Sequence, residues 1–273
     1  MKARPPFALG AAVAWFLTAT ALPASETDDR IESSFSKSYA YRVYLKDAAI
    51  KAESRNGVVT LSGQVDEESH KHLAEEAVAG LPGVARVDNR LEVKLEGTEK
   101  SDNWIRAKVR SVLALHRNVS GSRTQVDIRD GVITLRGQAT SEAQKELATE
   151  YAQDVQGVLR VTNVMTVAKA PAPPAATVAE AVDDASITAQ VKVALRLHRS
   201  TSTVNTRVGT AGGVVTVGGV ARNAAEKALV TKLAMDISGV QRVINNMALA
   251  PMGSPSDVRP AGARNLRLAT TED

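Results

Sequence analysis

The sequence predicts an α+β protein built from three tandem small domains, each with the order helix, strand, strand, helix, strand. Two short phrases recur three times and carry this prediction. The first, Gly-Val-Val-Thr-Leu-Ser-Gly in its opening copy, begins at residues 57, 131 and 213. The second, Gly-Val-x-x-Val-x-Asn, begins 26 positions later each time, at residues 83, 157 and 239. A spacing that is kept three times indicates an internal repeat.

The first phrase is β-branched and apolar between two glycines, which is typical of a short strand. The dipeptides Asn-Gly, Asp-Gly and Gly-Gly introduce its three copies. They tolerate positive φ at both central positions, as a tight hairpin requires. We therefore expect structural turn glycines at the starts of both phrases: Gly57, Gly83, Gly131, Gly157, Gly213 and Gly239.

The other elements follow from periodicity and capping signals. In the first domain, apolar residues every four positions from Ile31 to Val43 predict an opening helix. Asp66 is the predicted N-cap of the second helix, and the last strand is predicted from Val84. The second and third domains repeat this order, with capping boxes at 141–144 and 223–226.

The predicted organisation combines these domains with three other segments. They are a signal peptide at 1–24, domains at 28–96, 102–168 and 184–250, a Pro/Ala-rich linker at 169–183 and a disordered tail at 251–273. The polar connection between the first two domains is short, so we expect them to pack closely. The longer linker predicts a third domain that is tethered apart.

The N-terminus indicates export. Lys2 and Arg4 precede an apolar run from Phe7 to Leu22 with small residues at its end, which is the order of a secretory signal peptide. The run is short for a membrane span of about 20 residues, although an uncleaved anchor is the alternative. The chain has no cysteine, which excludes disulfides and lipid attachment at a cysteine. We expect a periplasmic protein.

The three domains resemble the BON domain family. The resemblance rests on the two recurring phrases and on the capped helix between them, and it covers about 200 of the 273 residues. It implies a three-stranded mixed sheet backed by two helices in each domain, and no catalysis. It also implies a role in envelope integrity under osmotic or other stress and in binding phospholipid membranes. The extra glycine in the third copy, at 218–219, and the number of domains depart from the simplest relatives.

The search for chemistry agrees with a non-enzymatic protein. His70 and His72 lie two positions apart, so on a helix they point to different faces and predict no metal site. His116 and His198 occupy equivalent positions at the ends of opening helices. They favour a ring that bonds its own helix terminus over a shared active site. No phosphate loop or nucleophile motif is present, so we expect no cofactor and no small-molecule substrate.

The net charge of the three domains limits the classes of partner that fit the protein. The net charge rises from −2 in residues 28–95 to +2 in 102–167 and +5 in 184–249. A basic surface suits nucleic acid, anionic lipid or an acidic protein. Export and the scarcity of aromatic residues argue against nucleic acid.

An anionic phospholipid membrane is the predicted partner. On the opening helix of the second domain, cations and Trp104 lie off the core stripe, with Leu115 on the same flank as Trp104. Packing of Trp104 on the neighbouring domain is the open alternative. The third domain keeps the basic residues of this helix. The candidate lipid-binding residues are Trp104, Arg106, Lys108, Arg110, Lys192, Arg196 and Arg199.

A second function class also fits the sequence. The domains could serve as docking surfaces of a periplasmic scaffold or chaperone-like factor, with other envelope proteins as partners. One stoichiometric protein partner without lipid affinity would favour this alternative.

Overall fold

A computed structural model of the protein describes residues 24–94, 101–119, 124–167, 182–201 and 206–250. These form repeat 1 (24–94), repeat 2 (101–167) and repeat 3 (182–250). The signal peptide, the linker and the tail lie almost entirely outside the described residues, so those three assignments stay predictions. Each repeat has the expected helix, strand, strand, helix, strand order, and the α+β fold is confirmed.

Repeat 1 differs from the others by an additional turn after its opening helix. Its elements are α1 (Ala24–Lys37), a π-helical turn (Tyr41–Leu45), β1 (Ala49–Arg55), β2 (Val58–Val65), α2 (Glu68–Ala79) and β3 (Arg86–Val93).

Repeats 2 and 3 follow one plan, with short strands added at their ends. Repeat 2 has α3 (Asp102–Leu115), β4 (Thr124–Arg129), β5 (Val132–Ala139), α4 (Glu142–Gln153), β6 (Arg160–Asn163) and β7 (Thr166–Val167). Repeat 3 has α5 (Asp184–Leu197), β8 (Arg207–Ala211), β9 (Val214–Gly218), β10 (Val220–Ala221), α6 (Ala224–Met235), β11 (Arg242–Asn245) and β12 (Ala248–Leu249).

The strand of the first recurring phrase lies at the centre of each sheet. It runs antiparallel to the strand before it and parallel to the strand after it, so each sheet is mixed. In β2, Val59 lies opposite Ser54 of β1 and Val87 of β3. A parallel pair needs a crossover, which the second helix of each repeat supplies. Val59 and Leu61 alternate toward the helices and are fully buried, which places the core between sheet and helices.

The opening helix of repeat 1 is shorter than the sequence predicts. The apolar period extends to Val43, but α1 ends at Lys37 and Val43 is 39% exposed, so that part of the prediction is wrong. The backbone N–H groups of Tyr39 and Ala40 donate to side chains of repeat 3 rather than to helix carbonyls. Ser38 Oγ also donates to the Phe35 carbonyl. These competing acceptors end the regular helical ladder.

Asp66 is not the cap of α2, which corrects a second prediction. Glu67 occupies the N-cap position and makes no side-chain cap bond, while Asp66 accepts from Lys94 Nζ at 3.2 Å. The Glu67 carboxylate is drawn away because it accepts from Ser111 of repeat 2. In repeats 2 and 3 the predicted caps are present, since Ser141 and Asn223 each accept from the N–H three residues on.

Repeat 3 packs against both other repeats, so the expectation of a tethered third domain is wrong. Helix α5 packs against α2, where Lys192 pairs with Glu76 at 2.7 Å. It also contacts the π-helical turn of repeat 1, where Tyr44 Oη donates to Gln190 Oε1 at 3.1 Å. The physical reason is the composition of α5. Ala189 and Gln190 are fully buried together with its Val and Leu residues, and a helix that is apolar on most faces must be covered on most faces.

Candidate functional site

A carboxylate at the start of each opening helix holds the hairpin of its own repeat. The side chain of Asp102 accepts from the backbone N–H of Asp130 at 2.8 Å and of Gly131 at 3.0 Å. Asp28 and Asp184 make the corresponding pair of bonds in the other repeats. Hydrogen bonds from Ser54 and the hairpin hold the pKa of Asp28 below its usual value. These acids stabilise turns and are not placed for catalysis.

The turn glycines are structural. All six have positive φ, between 73° and 95°. The residue before the hairpin glycine also has positive φ in each repeat, which gives the turn that matches the twist of paired strands. Gly157 is in addition a close approach, because a Cβ there would lie 2.9 Å from Ile105 Cδ1.

The asparagine that ends the second phrase joins the last strand to the second helix. Asn163 Nδ2 donates to the Lys145 carbonyl and to Thr149 Oγ1, both at 2.8 Å, and its Oδ1 accepts from Met165 N at 3.0 Å. The asparagines of repeats 1 and 3 make corresponding bonds. The two recurring phrases therefore specify the fold rather than a ligand site.

Helix α3 carries four of the candidate lipid-binding residues. Trp104 is half-buried, and Lys108 Nζ lies 3.6 Å from the centroid of its ring, which is a cation–π contact. Arg106 is also half-buried and donates to Asn103 Oδ1 at 2.9 Å. Arg110 is exposed. The helix therefore places an aromatic ring and three cations outside the core.

Leu115 does not lie on the accessible flank of this helix. It is 3% exposed, so its placement beside Trp104 off the core is wrong. Helix α5 of repeat 3 packs against α3 and removes this flank from solvent. The sequence assigned a surface to α3 that another repeat covers.

A cavity of about 450 Å³ lies where the three repeats meet. Trp104 and Lys108 line it from repeat 2, Glu67 and His72 from repeat 1, and Arg196 from repeat 3. Trp104 thus borders a neighbouring repeat as well as solvent. Both alternatives for this residue, a membrane contact and an interdomain contact, stay open.

The cations of α5 and of the segment after it are paired across repeat boundaries. Lys192 and Arg196 lie 2.7 Å and 3.9 Å from the Glu76 carboxylate of repeat 1. Arg199 lies 3.5 Å from Asp154 of repeat 2. The structure therefore separates the candidates into an α3 group around Trp104 and a repeat 3 group held at interfaces. Lipid binding by either group stays a prediction.

His116 and His198 meet at the junction of repeats 2 and 3. Their Nε2 atoms are 3.0 Å apart, and both side chains are at least 98% buried. His198 Nδ1 donates to Asp154 Oδ2 at 3.0 Å, while His116 Nδ1 lies 3.3 Å from Asp236 Oδ2. Each ring thus faces a carboxylate of the other repeat, and the expected bond to its own helix terminus is wrong.

Tyr151 completes this group, which we call the histidine cluster: His116, His198, Asp154, Asp236 and Tyr151. The tyrosine stacks on His116 with ring centroids 4.2 Å apart and donates its hydroxyl to Asp236 Oδ2 at 2.7 Å. Burial holds the pKa of His116 below its usual value, and Asp236 opposes this. Burial and the hydrogen bond to Asp236 raise the pKa of Tyr151.

Sequence reasoning noticed the two histidines but missed the carboxylates. The signal was available, because Asp154 and Asp236 repeat at the same offset of 82 positions as His116 and His198. Both aspartates also end the second helix of their repeat. Pairing His with Asp across repeats, however, needs the mutual placement of the repeats, which no local pattern contains.

Metal ligands and membrane-spanning helices would each bear on function. Within the described residues, no three His, Cys, Asp or Glu side chains converge in a way that could hold a metal ion. In the same part of the chain, no helix combines the length and the apolar composition that a bilayer crossing needs.

Comparison with known proteins identifies two relatives with known names. It is 31% identical to osmotically-inducible protein Y of Escherichia coli over 44% of this chain and 62% of that protein. It is 34% identical to outer membrane lipoprotein DolP of Haemophilus influenzae over 44% of this chain and 66% of that protein. The matched region thus spans less than two thirds of either relative.

A solved structure, the C-terminal domain of CdsD from the type III secretion system of Chlamydia trachomatis, matches 78% of this chain and 96% of its own length. That match has 18% identity and a TM-score of 0.21. The family model described as BON domain matches three times, at residues 27–94, 101–169 and 183–251. These three matches cover about three quarters of the chain, and the protein therefore belongs to the BON domain family.

Proposed function

We propose that this protein is a non-enzymatic module of the cell envelope that associates with anionic phospholipid membranes and supports envelope integrity under stress. The observation that carries the proposal is the accessible part of α3, where Trp104 and Lys108 form a cation–π pair, while Arg106 and the exposed Arg110 lie on another face of the same helix. An amphipathic aromatic ring beside cations suits the headgroup level of a bilayer.

The relatives support the envelope and stress parts of this proposal. One is named as an outer membrane lipoprotein and another as an osmotically inducible protein. The leader-like N-terminal sequence agrees with export to the periplasm, where such a module would meet a phospholipid membrane surface.

Binding through α3 alone is expected to be weak and salt-sensitive. Each surface cation near an anionic bilayer contributes about 1 kcal/mol, and this fades beyond a Debye length of about 8–10 Å. Three cations on α3 therefore supply roughly 3 kcal/mol at most, which corresponds to millimolar or weaker affinity. Insertion of Trp104 has to add to it.

The repeat 3 cations are proposed to help only at longer range. Lys192, Arg196 and Arg199 each lie within 4 Å of a carboxylate, so their field at a membrane is partly cancelled. We expect charge reversal on α3 to weaken lipid binding more than charge reversal on α5.

The test is co-sedimentation of the chain with vesicles of anionic or neutral phospholipid at low and high salt. Trp104→Ala and Lys108→Glu should each weaken anionic binding several-fold, with the loss for Lys108→Glu disappearing at high salt. Arg242→Glu is the matched charge control, because Arg242 is exposed at the start of β11, in a different repeat from α3. If Arg242→Glu weakens binding as much as Lys108→Glu, net charge rather than this surface governs binding.

A scaffold that docks a protein partner is the second candidate. The cavity bordered by all three repeats favours it, because Trp104 faces into a concave surface there. Under this alternative, neither vesicle composition nor salt would matter. Trp104→Ala would instead abolish capture of one stoichiometric envelope protein.

A further inference from the structure

The histidine cluster joins repeats 2 and 3 through a nearly symmetric interface. The backbone N–H of Arg117 donates to the Asp236 carbonyl at 2.9 Å, and that of Arg199 donates to the Asp154 carbonyl at 2.8 Å. Antiparallel bridges pair His116 with Ile237 and Val155 with His198. The two rings lie at the centre of this arrangement, so their protonation acts directly on the contact between repeats.

The contacts within the histidine cluster determine how many protons it can hold. Three contacts stand in line: Asp154 to His198 at 3.0 Å, His198 to His116 at 3.0 Å, and His116 to Asp236 at 3.3 Å. Each contact needs one proton, and two neutral imidazoles carry two. With His198 Nδ1–H on Asp154, its Nε2 is the acceptor and His116 Nε2–H the donor. His116 Nδ1 is then bare, and it has no hydrogen-bond donor among the described residues.

The same count sets an upper limit. One additional proton fits on His116 Nδ1, facing Asp236. A second additional proton would put hydrogen on both Nε2 atoms, which lie 3.0 Å apart. Two imidazolium N–H groups cannot share that distance, because each is only a donor and both are positive. The docked cluster therefore holds at most one of the two protons that separated rings would take up.

We propose that the contact between repeats 2 and 3 is an acid-sensitive latch, closed while the His116–His198 pair carries no more than one extra proton and released when both rings are protonated.

The sign of the pH dependence follows from linkage. Separated histidines have pKa values near 6.5, so the open form binds up to two protons below that pH. Burial holds the pKa of His116 below its usual value when docked. The open form therefore binds more protons, and acidification favours it. Well below pH 6.5, the equilibrium constant for opening should rise about tenfold for each pH unit.

Charged groups from all three repeats surround the cluster. Arg117 and Arg199 face the two aspartates and keep their charge in this range. Glu150 and Lys232 form a 3.5 Å ion pair between α4 and α6 beside the cluster. On the side of repeat 1, a cleft next to His116 is lined by charged or titratable side chains, namely Tyr39, Tyr44, Glu67, His70 and Arg110.

His70 is therefore a group that a control variant has to remove, so that its effect is not attributed to the cluster. Carboxylates ordinarily titrate below pH 5. Burial raises the pKa of Asp154, but the hydrogen bonds from His198 and Ser200 outweigh it and hold that pKa below its usual value. Hydrogen bonds from these groups favour its charged form.

The test measures the distance between repeats 2 and 3 as pH changes. The chain has no cysteine, so Glu146→Cys on α4 and Ala228→Cys on α6, both exposed, give one specific spin-label pair. We expect a single narrow distance distribution at pH 7.5 and a growing long-distance component toward pH 5.0, reversible on return to pH 7.5. An unchanged distribution across this range would overturn the proposal.

Substitutions identify which histidines cause the pH-dependent opening. H116Q/H198Q replaces both rings by neutral amides that still donate and accept, so docking should no longer depend on pH. H70Q/H72Q removes the other two of the four histidines and should leave the pH dependence intact. A pH response that persists in H116Q/H198Q, or that disappears in H70Q/H72Q, contradicts the latch.

A second measurement decides the case in which H116Q/H198Q fails to dock at pH 7.5. Imidazole ¹⁵N spectra of the wild-type chain report protonation of each ring. We expect the second additional proton, which makes both rings imidazolium, to appear only together with the long-distance component. If both rings become fully protonated while the distance stays unchanged, the latch is refuted.

Discussion

Repeats 1 and 2 both dock on repeat 3, but they use different chemistry. Aligned on their hairpin glycines, Asp154 of repeat 2 corresponds to Gly80 of repeat 1, and His116 corresponds to Arg42. At Gly80 the helices α2 and α5 approach so closely that a Cβ would lie 3.1 Å from the Ala185 side chain. At Asp154 the contact is made instead by two buried imidazoles and two acids, of which Asp236 is buried and Asp154 is half-buried.

The fold of one repeat therefore does not fix how its copies assemble. Close packing around Gly80 depends on shape, and its ion pair between Lys192 and Glu76 lies at the rim. The contact of repeat 2 depends on a few polar groups in a dry environment, where each proton matters. The packing at Gly80 should therefore be indifferent to mild acid, while the histidine cluster should respond to it. His72, which accepts from Arg196 at 2.8 Å across the junction of repeats 1 and 3, lies near the start of α2, away from Gly80.

The largest effect is expected from Asp236→Ala, which removes the acceptor of Tyr151 and Asn118 at the repeat 2–3 junction. The Tyr151 hydroxyl is a buried donor, and leaving it without an acceptor costs roughly 1–3 kcal/mol, whereas the exposed Asn118 can bond water instead. Loss of the ion pair with Arg117 adds up to about 1 kcal/mol, so the free energy of unfolding should fall by about 1–4 kcal/mol. Urea unfolding at pH 7 measures it. Asp236→Asn should cost less, because the atom at the Oδ2 position can still bond one neighbour: an oxygen there accepts from Tyr151, or a nitrogen there donates to His116 Nδ1. Equal losses for Ala and Asn would show that these hydrogen bonds do not hold the junction.

Gly80→Val tests the other junction. The added side chain overlaps the position of Ala185, and overpacking of this kind typically costs about 1–3 kcal/mol. The loss should be the same at pH 7.5 and pH 5.5, since no titratable group lies at the contact point. Thermal unfolding at both pH values is the measurement. A pH-dependent loss would contradict the contrast between the two junctions.

Asp28→Asn serves as a reference, because all three repeats share the hairpin carboxylate. An amide cannot accept at both of its terminal atoms, so the variant should be less stable than wild type at pH 7. The pKa of Asp28 is lowered in the folded protein, so its contribution is present above the usual value of 3.8 and is lost as pH falls through the folded pKa. The difference between wild type and variant should therefore shrink below pH 4. Asp102→Asn in repeat 2 should cost a similar amount at pH 7, and a much larger loss there would show that the hairpins are not equivalent.

Tyr151→Phe should have the smallest effect. It removes one buried hydroxyl but leaves Asp236 with the Asn118 donors, so the expected loss is about 1 kcal/mol. Leu233 stands at the corresponding position of repeat 3, so the symmetric partner already lacks this hydroxyl. Calorimetric unfolding at pH 7 measures the loss. A cost above that of Asp236→Ala would place the tyrosine, not the aspartate, at the centre of the junction.

The sequence predicted what local chemistry controls. Hairpin dipeptides need positive φ, and the capping residues Ser141 and Asn223 satisfy helix N–H groups within three positions. The position of Trp104 outside the core of repeat 2 also followed from helical periodicity alone. In repeat 1 the same reasoning failed at Asp66 and after Lys37, because partners from other repeats compete there for Glu67 and for the N–H groups of Tyr39 and Ala40.

Three copies of one α+β unit are thus predictable from sequence, since turns, caps and alternating strands depend on neighbours a few positions apart. The packing of whole repeats is what covers α5 with α2, buries Leu115 and brings His116 to His198. These contacts join residues about 80 or more positions apart, and they arise from the way buried surfaces of whole repeats fit together. No periodicity within one repeat encodes that fit, because the same periodicity stabilises each repeat wherever it docks.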